Sequence, residues 1–217
     1  MQLVRERERI VAAARRLAED GQVAGTAGNL SERAGDLVAV TPTGGALDSL
    51  TPEQVAVVDL DGEQVDGDLR PTSELGLHLG VYRRYGVGAV VHTHPPYATA
   101  LACVVDQLPV VHYQMLALGG SVRVARYETF GTEELATVTL DALEGRAAAL
   151  MASHGAIVHG PDLDVAMAQS SLLEWACALY WRAAAIGQPR TLNERQLMDV
   201  VNAIVGRGYG TPQARTR

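Results

Sequence analysis

The sequence predicts one layered domain of mixed strands and helices, α+β or α/β, in preference to a simple doubly wound sheet. Strand-like and helix-like segments follow one another without regular alternation. No internal repeat, low-complexity tract or inter-domain linker interrupts the 217 residues, a length that supports one well-buried core. Hydrophobic residues make up 47% of the chain and charged residues 20%, a globular balance and not a disordered one.

Leu3, Ile10, Val11, Ala14 and Leu17 fall near helical spacing and predict an amphipathic helix over 3–18, ended by Gly21. Short strands are expected around Leu30 and at Leu37–Val40. The stretch VAVVDLDGEQV, 55–65, reads as two strands about a tight Asp61-Gly62 turn. Pro71-Thr72-Ser73-Glu74 reads as the start of a helix running to about Tyr85. A buried strand at Gly88–His94 follows, then short helices at Tyr97–Val104 and Gln114–Leu118 and a longer one at Thr132–Leu143. Ala148–Val158 is a second apolar stretch, broken by Ser153-His154-Gly155. Two helices, roughly 162–186 and 193–205, precede the polar tail GTPQARTR.

A formal net charge of -7 argues against nucleic acid as the main partner, because phosphate backbones call for a basic face. The cysteines, Cys103 and Cys177, lie in apolar segments and are expected as buried thiols in a reducing cytoplasm. The opening MQLVRERERIVAAARRLAED alternates charge with apolar residues, unlike a signal peptide or a membrane span. The expectation is a soluble cytoplasmic protein with no membrane partner.

In VVHTHPPYA, His92 and His94 stand two apart at the end of an apolar run, a spacing that puts both on one face of a strand. Alone the pair is a weak signal. His154 ends a second apolar stretch and precedes a glycine, and Glu74 opens a helix after a proline and two hydroxyl residues. Three imidazoles and a carboxylate suit a catalytic zinc with a replaceable fourth ligand. Mn²⁺ or Co²⁺ could occupy the same ligands. The other histidines take plainer readings. His78, four residues after Glu74, is a possible competing ligand but reads better as a packing or hydrogen-bonding residue. His112 belongs to the site or flanks it. His159, before Gly160-Pro161, is expected in a surface turn.

Three segments look able to hold an anion: Gly25–Ser31 (GTAGNLS), Thr41–Gly45 (TPTGG), and Thr72 and Ser73 at a helix N-terminus. The phosphate loop of nucleotide-binding proteins, GxxxxGK[ST], is absent. Each segment alone reads as a turn or cap; their coincidence with the histidine set is what gives them weight.

GTAGNLS, TPTG, the Thr72-Ser73-Glu74 triplet, VVHTHP, HYQM, ETFGT, SHG and a late Tyr-Gly recur in the order and spacing of a known family. The chain resembles the class II aldolases of the fuculose-phosphate aldolase type, within the aldolase/adducin family, over nearly its whole length. The resemblance implies a three-layer α/β/α fold with a mainly antiparallel central sheet. It implies a homotetramer with active sites between subunits, and one domain over 1–217 with a mobile tail from about 207. It assigns His92, His94, His154 and Glu74 to one Zn²⁺ per subunit, with Glu74 turning acid/base once substrate displaces it. Gly28, Asn29, Thr43, Gly44, Thr72 and Ser73 would hold the substrate phosphate. Tyr113 would reach a neighbouring subunit's site and donate a proton, and Tyr209 would act from the tail. Two positions depart from the pattern: Thr72 stands for an expected serine, and Gly206 for an aromatic that helps wall the aldehyde end.

The implied activity is a zinc-dependent aldehyde-lyase, splitting a ketose 1-phosphate such as L-fuculose 1-phosphate into dihydroxyacetone phosphate and an aldehyde such as lactaldehyde. A Schiff-base mechanism is excluded because the sequence contains no lysine. L-ribulose-5-phosphate 4-epimerase ranks lower, since its members typically carry aspartate where Glu74 stands. Dehydration of methylthioribulose 1-phosphate is a third reading on the same fold. A non-catalytic adducin-like interaction module lacks the metal histidines that this chain has. HTHP also resembles the motif of JAMM-type zinc isopeptidases, but Ala102 and Val105 occupy the serine and aspartate positions, with Asp106 one residue late. The amidohydrolase barrel also begins with HxH, but needs a longer chain and further ligands.

Overall fold

A computed structural model describes residues 1–207. Six α-helices and nine strands alternate irregularly along them: α1 (Val4–Glu19), β1 (Asn29–Ala34), β2 (Leu37–Val40), β3 (Ala56–Asp59), β4 (Gln64–Asp66), α2 (Leu75–Tyr85), β5 (Ala89–Thr93), α3 (Pro96–Ala102), β6 (Gln107–Leu108), β7 (Val122–Ala125), α4 (Glu133–Leu143), β8 (Ala148–Met151), β9 (Gly155–Gly160), α5 (Leu163–Ile186) and α6 (Glu194–Arg207). Short 3₁₀ helices add Pro52–Gln54 and Tyr113–Leu118.

The strands form one sheet in the order β4-β3-β2-β1-β5-β9-β8-β7-β6. Every described pairing is antiparallel except β7 with β8. That parallel pair is joined through α4, the crossover that parallel neighbours need. Side chains of each strand alternate between the sheet's faces. Ala89, Val91, Leu150, Ala156 and Val158 join α1, α3 and α5 in one apolar cluster. Val90, Met151 and Ile157 join α2 and α4 in a second cluster on the opposite face. The result is the expected three-layer α/β/α architecture.

Local chemistry accounts for the elements that frame the site. On α1, Ile10, Ala14 and Leu17 are completely buried, and burial of Ile10 or Leu17 stabilises by ~1.5–3 kcal/mol each. The α4 cap is the Thr132 hydroxyl, which accepts from Leu135 N at 3.2 Å; the α5 cap is Asp162, which accepts from Val165 N at 2.8 Å. At the β3–β4 turn, Asp59 Oδ1 accepts from the backbone N–H of Asp61 and of Glu63, both at 2.9 Å, around Gly62 at φ 96.

Several sequence expectations need correction. The strands β6 and β7 had no strong signal, because the first is two residues long and the second alternates Val122 and Val124 with Arg123. The α2 helix starts at Leu75, since Thr72–Glu74 form a turn in which the Thr72 hydroxyl accepts from Glu74 N. His159 lies within β9, half-buried, with its ring stacked 5.3 Å from Tyr85 and Nε2 3.1 Å from Arg146 O. Of the two thiols only Cys177 is buried; Cys103, just past the end of α3, is exposed. Tyr209 and most of the predicted tail lie outside the described residues.

Candidate metal centre and active-site cleft

The centre is assembled where β5 and β9 run side by side. Antiparallel pairing sets His92 opposite Ile157 and Thr93 opposite Ala156. His92 Nδ1 lies 2.9 Å from Ala156 O, so Nδ1 carries the proton and Nε2 presents its lone pair to the centre. His94 sits one residue beyond the strand, with its backbone N–H held by Gln22 O at 3.0 Å. Its Nε2 lies 2.9 Å from His92 Nε2. His154 comes from the β8–β9 turn, where Ser153 takes a left-handed φ of 52 and His154 N donates to Met151 O. Gly155 makes the close approach possible: a Cβ there would meet Thr93 O at 2.4 Å and the His94 ring at 2.7 Å. The three ring centroids stand 4.8–4.9 Å apart, and the imidazoles form a cluster able to hold a divalent metal, with ligand atoms within 4.8 Å of one another.

Glu74 closes the set from the start of α2. Its Oε2 lies 3.1 Å from His92 Nε2 and its Oε1 3.6 Å from His154 Nε2. The Oε1 atom is buried with no hydrogen-bond partner. Lone pairs of imidazole and carboxylate facing one another, with an orphaned buried oxygen among them, are a donor set that a cation satisfies. Nitrogen and oxygen donors of this type fit Zn²⁺ and related divalent ions.

The electrostatics agree. Burial, followed by the neighbouring imidazoles, pushes His94 and His154 down to about 4, so both are neutral and ligand-ready near neutral pH. Burial alone would raise the Glu74 carboxyl. The contacts with His92, the Asn29 amide and His154 outweigh it and hold the group well below the usual carboxylate range.

A cleft of about 590 Å³ opens beside this centre. It is lined by Gly28, Asn29, Thr43, Gly44, Thr72, Ser73, Glu74, His94 and His154, so the expected phosphate residues and all the expected ligands but His92 line one cleft. Backbone bonds draw those segments together: Thr43 N donates to Arg70 O and Thr72 N to Thr41 O, each at 3.0 Å. Gly28, at φ 88, admits no side chain, because a Cβ would lie 2.8 Å from Val23 Cγ1 and 3.1 Å from His92 O. Asn29 holds a further position: its amide nitrogen donates to Glu74 Oε2 at 2.9 Å.

Tyr113 is not brought to this cleft. It lies half-buried in the 3₁₀ helix, its ring 4.5 Å from that of His112, lining a separate groove with Val200, Ala203, Ile204 and Arg207 of α6. His112 likewise flanks that region and packs edge-on against Trp175. Sequence reasoning missed Tyr127, Glu128, Phe130 and Ser153 as cleft residues. The ETFGT segment had been noted only as a motif. The signal for its position was Gly131, whose φ of 75 and approach to Ser73 O (3.2 Å from an added Cβ) press that turn against Thr72–Glu74.

A cluster able to hold a divalent metal thus opens onto a cleft lined by glycines and hydroxyl side chains. Residues 8–181 match the family model "Class II Aldolase and Adducin N-terminal domain", and the chain belongs to that family. It is 37% identical over 211 residues to the 5-deoxy-D-ribulose 1-phosphate aldolase of Bacillus thuringiensis, covering 96% of this chain and 99% of that one. It is 41% identical over 188 residues to the 5-methylthioribulose-1-phosphate/5-deoxyribulose-1-phosphate aldolase of Rhodospirillum rubrum, covering 86% and 85%. A solved L-fuculose 1-phosphate aldolase superposes with a TM-score of 0.88 at 32% identity, covering 92% of this chain and 96% of that one. Class II aldolase-type retro-aldol chemistry on a phosphorylated sugar is therefore the class of activity supported. No described helix is long and apolar enough to cross a membrane.

Proposed function

We propose that this protein is a zinc-dependent aldolase that reversibly splits a ketose 1-phosphate into dihydroxyacetone phosphate and a short aldehyde. The observation that carries the reading is that the cluster of His92, His94, His154 and Glu74 reaches, through its last three members, the cleft lined by Thr43, Gly44, Thr72 and Ser73. The three histidines and Glu74 would hold Zn²⁺, one per subunit, with Mn²⁺ or Co²⁺ as substitutes. When bound, Zn²⁺ supplies Lewis-acid stabilisation of the negative charge left by carbon–carbon cleavage.

The chain's own groups do the rest. Backbone N–H groups and hydroxyls of Gly28, Thr43, Gly44, Thr72 and Ser73, with Asn29, bind the phosphate and orient the reacting carbons. In the condensation direction Glu74 takes the C3 proton of dihydroxyacetone phosphate, whose electron pair then forms the bond to the aldehyde carbon. A tyrosine hydroxyl gives a proton to the aldehyde oxygen, and cleavage reverses both transfers. Tyr113 of a neighbouring subunit and Tyr209 are the residues proposed for that donor, in a cytoplasmic homotetramer.

The 5-deoxypentulose 1-phosphates named for the two relatives and L-fuculose 1-phosphate share the dihydroxyacetone phosphate half and differ only in the aldehyde. The near-complete match to the 5-deoxyribulose 1-phosphate enzyme favours that ketose as substrate, with L-fuculose 1-phosphate second. The test is a panel of 5-deoxy-D-ribulose 1-phosphate, methylthioribulose 1-phosphate, L-fuculose 1-phosphate and L-ribulose 5-phosphate, with and without chelator. Chelator-sensitive release of dihydroxyacetone phosphate, fastest from the first, is expected. Epimer or dehydration product without that release would replace this reading by one of the other two activities of the fold.

A further inference from the structure

Behind Glu74 runs a buried chain of polar side chains that the metal centre does not require. His78, completely buried on α2, has Nδ1 2.7 Å from Ser31 Oγ and Nε2 2.5 Å from Asn29 Oδ1. Asn29 Nδ2 lies 2.9 Å from Glu74 Oε2, and Ser31 Oγ also lies 2.7 Å from the Tyr82 hydroxyl. All five side chains belong to buried residues.

The donor and acceptor inventory fixes the direction of this chain. An ionised carboxylate only accepts, so Asn29 turns its NH₂ to Glu74 and its carbonyl oxygen to His78. That oxygen also only accepts, so His78 carries its proton on Nε2. The bare Nδ1 then accepts a hydrogen bond from the Ser31 hydroxyl, and Tyr82 donates to Ser31. Turning the Asn29 amide over would set its oxygen against the ionised carboxylate and its NH₂ against the Nε2 proton. His78 therefore locks Asn29 from its far side in the orientation that donates to Glu74. The consequence falls on Glu74: Oε2 is tied down, while Oε1, buried without a hydrogen-bond partner, is left for the cation at rest and for the proton once substrate displaces the carboxylate.

We propose that His78 is a positioning residue for the acid/base step: through Asn29 it pins Oε2 of Glu74 and reserves Oε1 for the proton. This rests on the acid/base role proposed above for Glu74. In condensation the C3–H bond of the phosphorylated ketone breaks, its proton passes to Oε1, and the electron pair stays on the substrate. His78 neither gains nor loses a proton.

Two variants and one spectroscopic measurement test this. His78→Gln keeps an amide donor that can reach Asn29; His78→Leu keeps bulk and removes every donor. With metal content equal, the leucine variant is expected to lose about 10- to 100-fold in kcat at little change in KM, and the glutamine variant to recover most of it. Full kcat in the leucine variant, or equal loss in both, overturns the proposal. Solid-state ¹⁵N spectra of histidine-labelled protein, with the His78 signal assigned by its loss in His78→Gln, are expected to show a neutral ring protonated on Nε2. A ring protonated on Nδ1 overturns the pin even if His78→Leu fails to fold. Lack of turnover by the unaltered protein would count against the proposed function alone, because the tautomer is read without substrate.

Discussion

The two oxygens of the Glu74 carboxylate are chemically distinct, one held by Asn29 and one bare, and this asymmetry sets the residue-scale expectations. Glu74→Gln preserves shape but cannot take a proton, and kcat for aldol cleavage is expected to fall about 10²- to 10⁴-fold. Stopped-flow release of dihydroxyacetone phosphate measures it; a variant as fast as the original would remove Glu74 from the chemistry. His154→Ala takes away an imidazole that no other described histidine replaces, so dialysed protein should retain well under one metal per chain by elemental analysis. The pH dependence has a definite sign. His94 and His154 are depressed from 6.5 to about 4, chiefly by burial, so the unfolded chain binds more protons than the folded one between those values. Metal-free protein should therefore be fully stable above about pH 6.5 and lose thermal midpoint progressively down to about pH 4. A midpoint that rises on acidification over that interval would contradict the burial of these rings as neutral bases. At this scale the ligand types were legible from sequence, because imidazole spacing and a following glycine are local signals. The Asn29–His78–Glu74 chain was not, since its hydrogen bonds span 45 and 49 positions.

The hairpin β8–β9 is the element on which the centre turns. Its three-residue connection presents His154, and the first residue of its second strand, Gly155, gives room to the His94 ring just past β5. Gly155→Ala would place a methyl group 2.4 Å from Thr93 O. The expected result is loss of about 1–3 kcal/mol of stability with a shifted His94, read as a lower thermal midpoint together with weaker metal retention. A variant that kept both would show that the strands part more easily than their packing implies. Apolar patterning revealed α1, α4 and α5, which bury one face, and the central strands β5, β8 and β9, whose continuous apolar runs are buried on both. It failed for β6 and β7, where two or four residues give too few repeats, and for His159, where an adjacent Gly-Pro looked like a turn but the β5 partner continues the ladder as far as Gly160.

For the whole molecule, the metal should act as a ligand of the folded state alone, so its removal lowers the thermal midpoint as well as abolishing cleavage. Differential scanning calorimetry of chelated and zinc-loaded protein should show the difference, with re-addition of zinc restoring both properties. The proposed tetramer predicts a solution mass near four times 23.0 kDa by light scattering. The exposed Met198, Val201 and Val205 on α6 are apolar surface that such an assembly would cover. The sequence by itself determined the mixed layered class, most element positions, the imidazoles and carboxylate of the centre, and the family resemblance, all of which reside in residue type and short-range spacing. Only the tertiary structure decided that β1 lies beside β5, that Thr43 and Ser73 face the same cleft as His94, that Tyr113 lies outside it, and that His78 orients Asn29 toward Glu74. Those relations depend on which strands become neighbours when the two apolar faces of the sheet are covered, and no local pattern in the chain encodes that choice.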